Sequence, residues 1–137
     1  MLPEKLALEI VTPDRLVFTE EVDEVILPSV EGYMGVRPGH TPLLARLEVG
    51  EIAYRIGSTE KYLAISGGFA EVLQHAVSIL AETCEPAEEI DVERARQSQE
   101  RAEVRMKPDS SEANFKRAEV SLKKAISRIR VHQRGRG

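Results

Sequence analysis

The sequence predicts a mainly β fold, an N-terminal antiparallel β-sandwich followed by a C-terminal αα-hairpin, in two small domains of residues 1–86 and 87–137. Three observations carry that expectation. Up to Glu89 the chain runs in short apolar stretches punctuated by Gly and Pro at spacings of about ten residues. From Ile90 the apolar period lengthens to three and four, with one interruption at Pro108. The charge reverses at the same place: residues 1–89 hold 6 Lys and Arg against 16 Asp and Glu, and residues 90–137 hold 13 against 7. A chain of net charge −4 is therefore an acidic part joined to a basic one, and the two parts face different partners.

The strands are expected at Leu6 to Val11, Leu16 to Val22, Glu24 to Leu27, Tyr33 to Val36, Leu43 to Leu47, Glu51 to Ile56, Lys61 to Ser66, Phe69 to Leu73 and Ala76 to Glu82. Turn chemistry separates them, as in Thr12-Pro13-Asp14, Pro28-Ser29, Arg37-Pro38-Gly39, Gly57-Ser58 and Gln74-His75. With no helical segment between them these strands cannot form a parallel α/β sheet, which leaves a sandwich or flattened barrel. Gly67 and Gly68 sit inside an apolar run and predict a bulge or a close backbone approach, because glycine otherwise weakens a strand.

After Ile90, Asp91 is placed to cap a helix whose inner stripe is Ala95, Ser98, Ala102 and Met106. These side chains are small until the last, so a neighbour must approach closely. Pro108, Asp109 and Ser110 end that helix. Ser110 or Ser111 caps a second, whose stripe is Phe115, Ala118, Leu122, Ala125, Ile126 and Ile129. A hairpin with so thin an apolar face docks marginally and reversibly rather than forming its own core, and the tail Arg134-Gly135-Arg136-Gly137 is expected to fray.

Composition narrows the function. The chain has no Trp and only 4% aromatic residues, so its core must be aliphatic. Cys84 is the one cysteine, which excludes an internal disulfide and reads either as a packed small hydrophobe or as a nucleophile or ligand. Glu4, Lys5 and Glu9 interrupt the N-terminal apolar residues, so no signal peptide is expected, and no uncharged run approaches the roughly 20 residues that span a bilayer. Gly32, Gly35 and Gly39 match neither a dinucleotide fingerprint nor a P-loop. His40, His75, His132 and Cys84 lack the paired spacing of a zinc site, and Glu20, Glu21, Asp23 and Glu24 read as a solvated turn rather than an acid/base pair. No catalyst stands out.

Residues 113–137 carry eight Lys and Arg against the single acid Glu119, a net charge of +7. Three readings stay open for this basic helix: a solvated face, a nucleic-acid footprint, or docking to an acidic protein surface or phosphate-bearing ligand. The acidic N-terminal part and the absence of aromatic stacking residues count against nucleic acid.

The stretch ILPSVEGYMGVRPGHTPLL from Ile26 to Leu44, then ISGGFAEV from Ile65 to Val72 and IDVERA from Ile90 to Ala95, resembles the epsilon subunit of F-type ATP synthase, bacterial or chloroplast type. The likeness runs in order from VTPD at Val11 to Asp14 through FKRAEVSLKKA at Phe115 to Ala125. The resemblance implies a non-catalytic, non-enzymatic rotor subunit of a proton-translocating synthase, coupling rotation to catalysis. It implies a sandwich that contacts the gamma subunit and the c-subunit ring, with the loop Gly32 to His40 near the ring. His40 reads either as a turn histidine beside Pro38 and Pro42 or as an interface residue, and Tyr33 stands where other members often carry an acid.

For the hairpin the resemblance implies a compact state folded on the sandwich and an extended state that reaches the alpha and beta subunits and inhibits ATP hydrolysis. It implies no required cofactor, with ATP as a regulatory ligand of the compact state. The residues in the matching positions are Glu85, Ile90, Asp91, Arg94, Ala95, Arg101, Lys124 and Arg128, and Lys124 departs from the arginine found in strong ATP binders. The competing reading of this motif is that Asp91 is only a helix cap and Arg94 a surface residue. The implied location is the cytoplasmic face of the cell inner membrane, peripheral, reached only through the complex and with no nucleic acid. The alternative from another class is a free nucleotide-sensing or nucleic-acid-binding adaptor using the basic hairpin.

Overall fold

A computed structural model describes residues 3–135. The strands are β1 (Leu6–Val11), β2 (Leu16–Val22), β3 (Glu24–Ser29), β4 (Gly32–Val36), β5 (Leu43–Ile56), β6 (Thr59–Val72), β7 (Ala76–Ala81) and β8 (Cys84–Pro86). A 3-10 turn at Ala87–Glu89 leads to the helices α1 (Val92–Arg105) and α2 (Glu112–Gly135). The predicted sandwich and hairpin are both present.

The strands lie in the order β2-β1-β7-β6-β5-β3-β4, with β8 beside β6. All pairs are antiparallel except β1 with β7, which run parallel, so the expectation of a wholly antiparallel sandwich needs that one correction. The parallel pair follows from connectivity. β1 lies between β2 and β7, and β7 takes its direction from the tight hairpin that joins it to β6 at Leu73–Ala76, which brings it alongside β1 in the same sense.

Four of the expected strands are two long ones. β5 and β6 each run for 14 residues and pair along almost their whole length, from Leu43 opposite Val72 to Ile56 opposite Thr59. Pairing lapses at Glu48 and Gly67, where the hairpin bends from one layer into the other. One half joins β7 and β1; the other joins β8 and β3. The bend needs glycine. Gly67 and Gly68 have φ of 113° and 145°, and a Cβ on Gly68 would stand 2.1 Å from the Leu80 carbonyl oxygen, which fulfils the predicted close approach.

Between the layers the core is aliphatic, as the composition requires. It gathers Leu6, Leu8 and Ile10 of β1, Val25 and Leu27 of β3, Ile52 of β5, Leu63 and Ile65 of β6, Val77 and Ile79 of β7 and Cys84 of β8. A second, smaller cluster lies on the outer face of the sandwich, where Ala64, Ala87 and Ile90 with Tyr62 receive Val131 of α2. Val131 is fully buried, which contributes about 1.5–3 kcal/mol to docking.

The helical stripes are as thin as expected, with one shift of register toward the C-terminus. Ala95 and Ala102 of α1 and Ala118 and Ala125 of α2 are buried, while Phe115, Leu122, Ile126 and Ile129 are half-buried. Ser127 and Val131, outside the predicted stripe, are buried as well, and Ser127 Oγ donates to the Gly50 carbonyl oxygen at 2.9 Å. The tail expected to fray is helical through Gly135, because Arg134 reaches the carboxylate of Glu51 on β5. Arg136 and Gly137 lie outside the described residues.

Candidate functional site

A cleft of about 500 Å³ opens where the start of α1, the β7–β8 connection and α2 meet. Its location follows from the short 3-10 connection, which turns the chain so that the first turn of α1 stands beside Thr83 and Glu85. Asp91 closes the N-terminus of α1: its Oδ1 accepts from the Arg94 N–H at 3.1 Å, satisfying one of the free donors of the first turn. Helical spacing then places Arg94, Ala95 and Arg101 along the cleft, with Arg128 coming from α2.

Six of the eight residues singled out from the sequence line this cleft: Glu85, Asp91, Arg94, Ala95, Arg101 and Arg128. Two do not. Ile90 turns into the small apolar cluster with Ala64, Ala87 and Val131, since an isoleucine at a strand-to-helix turn gains more from burial than from solvent. Lys124, one helical turn before Arg128, lines a small gap beside Ala64, Ser66 and Glu85.

Arg128 Nε donates to Glu85 Oε1 at 2.5 Å, tying α2 to β8, and Arg15 meets Glu89 at 3.2 Å. Arg94 and Arg101 have no ion-pair partner among the described residues, although Arg101 donates to Ser98 Oγ at 3.2 Å. An anionic group entering here would therefore meet Arg94 and Arg101 first. Asp14 and Arg15 also line the cleft. Their part was hidden in the sequence, where Thr12-Pro13-Asp14 reads only as a turn and stands far from Asp91.

The basic face of α2 is largely used by the chain itself. Lys116 and Lys123 lie 3.2 and 3.8 Å from Glu119, Arg128 pairs with Glu85, and Arg134 pairs with Glu51. The acidic sandwich is thus one of the acidic surfaces that the basic helix meets. His40 donates from Nδ1 to the Thr41 carbonyl oxygen at 2.7 Å, the geometry of a turn histidine. Asp23, one of the clustered acids, holds Lys5 and Arg55 and accepts from the Gly57 N–H.

This junction can grip a small polar ligand across two helices and a sheet. Burial pushes the Cys84 thiol up to about 12, so it is no thiolate nucleophile near neutral pH. The class defined by fold and site is a two-part module, a β-sandwich carrying a docked two-helix hairpin with a polar cleft at their junction.

Comparison with known proteins gives that class a family. Residues 5–87 match the family described as ATP synthase, delta/epsilon chain, beta-sandwich domain, and residues 88–133 match its long alpha-helix domain. The chain is 47% identical over 133 residues to the ATP synthase epsilon chain of Syntrophobacter fumaroxidans, covering 97% of this chain and 99% of that one. It is 45% identical over 124 residues to the ATP synthase epsilon chain of Desulforamulus reducens, covering 90% and 94%. Among solved structures it resembles a chain of the Euglena gracilis mitochondrial ATP synthase, with a TM-score of 0.82 at 28% identity, covering 93% of this chain and 81% of that one. A chain of the Tetrahymena thermophila mitochondrial ATP synthase central stalk shares the fold, with a TM-score of 0.58 at 13% identity and 98% of each chain covered. The protein belongs to the ATP synthase delta/epsilon chain family. It is an epsilon-type, non-catalytic subunit of an F-type ATP synthase, a peripheral part of that membrane-bound complex, and this membership selects the synthase reading over the free adaptor. No helix among the described residues is long and apolar enough to cross a membrane.

Proposed function

We propose that the chain works in the central stalk as a coupling subunit whose hairpin is a ligand-sensitive brake. Residues 1–86 contact the gamma subunit and the c-subunit ring, at the cytoplasmic face of the inner membrane. Residues 87–137 dock on the sandwich in a compact state and, when released, rise toward the alpha and beta subunits to restrain ATP hydrolysis. ATP is the regulatory ligand of the compact state, held by Glu85, Asp91, Arg94, Ala95, Arg101 and Arg128, with Ile90 shaping the turn beneath the cleft and Lys124 approaching from α2.

The observation that carries this reading is the convergence of Arg94, Arg101 and Arg128 from both helices on one cleft against Glu85 of the sandwich. A ligand that bridges these elements binds only while the hairpin is docked. It therefore raises the ratio of compact to released states by a factor of one plus its concentration over its dissociation constant. Without the ligand, docking rests on alanine contacts, Val131 and a few ion pairs, which is weak enough to reverse.

The test is calorimetric titration of the full chain with magnesium and ATP. Arg94→Ala should weaken binding by roughly tenfold or more, since a hydrogen bond to a charged group is worth about 1.5–3 kcal/mol. Equal affinity in wild type and Arg94→Ala would sink the site assignment and leave Asp91 as a helix cap alone.

A further inference from the structure

The hairpin holds a second cleft, of about 610 Å³, between α1 and α2 toward the turn that joins them. Arg101, Arg105 and Lys107 line it from the end of α1 and the turn, and Arg117 lines it from α2. Among the described residues no carboxylate lines it, whereas Asp14, Glu82, Glu85, Glu89 and Asp91 line the first. None of the four cations is in an ion pair among the described residues. Arg101 and Arg105 are one helical turn apart, a like-charge spacing whose repulsion opposes the helix when no anion is present. Such an arrangement costs stability when empty and gains from an anion.

The rest of the lining narrows the anion. Asn114 and Ser121 add neutral donors, and Ser110 Oγ is already engaged with the Arg105 carbonyl oxygen. Arginine forks suit phosphate oxygens, which accept two parallel N–H bonds. A single phosphate brings a charge of about −1.5 to −2, and a chain of two or three linked phosphates carries more, so four cations match the chain better than the single group.

We propose that this cleft binds a short inorganic phosphate chain, pyrophosphate or tripolyphosphate, and by bridging α1 and α2 stiffens the hairpin. The site needs no nucleoside. It shares only Ser98 and Arg101 with the first cleft, and it stands whether or not ATP binds there.

The experiment titrates the full chain with pyrophosphate at low ionic strength, because exposed charges are screened over about 8–10 Å at ordinary salt. Calorimetry and backbone amide shifts are read together. Wild type should bind one equivalent, with the largest shifts at Ser110, Asn114 and Ser121. The double variant Arg105→Ala, Arg117→Ala should bind about tenfold more weakly or worse, while Arg94→Ala stays within about threefold of wild type. The charge-preserving variant Arg105→Lys, Arg117→Lys should recover part of the affinity, which separates lost binding from a disturbed hairpin. Three results would overturn the proposal: no saturable heat in wild type; binding abolished by Arg94→Ala but kept by the double variant, which would put the phosphates in the first cleft; or an acidic peptide binding more tightly than pyrophosphate, which would give the groove to a protein segment.

Discussion

Glu51 holds down the far end of the hairpin. It is a strand residue only 6% exposed, its Oε2 accepts from Arg134, and the Arg134 guanidinium lies 5.5 Å from the centre of the Tyr62 ring. Its other oxygen, Oε1, is buried without a partner among the described residues. A carboxylate so placed depends on its one cation, since a buried charge left unpaired carries its full desolvation cost. Arg134→Ala should lower stability by about 1–3 kcal/mol, and adding Glu51→Gln should return part of the loss because no charge is then stranded. Urea denaturation followed by far-UV circular dichroism measures both; additive losses would mean that the two side chains do not interact. Glycine matters at the same end, where a Cβ on Gly135 would stand 2.4 Å from that of Ala87. In the sequence Glu51 is one more acid in an acidic part, and nothing local marks it as buried. The helix capping by Asp91 was legible, because an aspartate before a small-residue period is a local signal.

Among the elements, α1 is the weakest. Its buried residues are Ala95 and Ala102, and it packs mainly on α2. The sandwich core, by contrast, draws only on strand residues. We expect a fragment of residues 1–86 to unfold cooperatively, and a fragment of residues 87–137 to show little stable helix, because short helices without tertiary packing are marginal in water. Circular dichroism of each fragment checks this; a stably folded hairpin fragment would remove the ground for its reversible docking. Strand positions were legible from turn residues and alternation, but their continuity was not. Residues 48–50 and Gly67-Gly68 fall between expected strands, whereas the long strands run on through both, with pairing lapsing only at Glu48 and Gly67, and strand length depends on a partner that pairs across the bend. β8 was missed because three residues ending in Pro86 show no period at all.

For the molecule as a whole, Cys84 reports on the integrity of the sandwich. It lies in the core on β8, paired with Ile65 of β6, and desolvation raises its thiol to about 12. With the folded value above the ordinary 9.0, the thiol stays protonated at pH 8 in the folded chain, and folding is favoured until the pH rises through the ordinary value toward the folded one. Alkylation at pH 8 should therefore be slower than in denaturant by about a hundredfold or more and should track global unfolding. Rapid labelling under native conditions would show that β8 opens by itself. The sequence by itself determined the two-part fold, the aliphatic core, the close approach at Gly67-Gly68 and the cap at Asp91, because periodicity, turn chemistry and capping are encoded in near neighbours, while the family resemblance pointed to six of the residues that line the cleft. Only the tertiary structure decided that β1 and β7 run parallel, that Ile90 faces apolar side chains, that Arg128 and Arg134 answer Glu85 and Glu51, and that four cations share a groove without an acid. Those facts join residues far apart in the chain, and the pairing energies that select them exist only once the layers and helices have met.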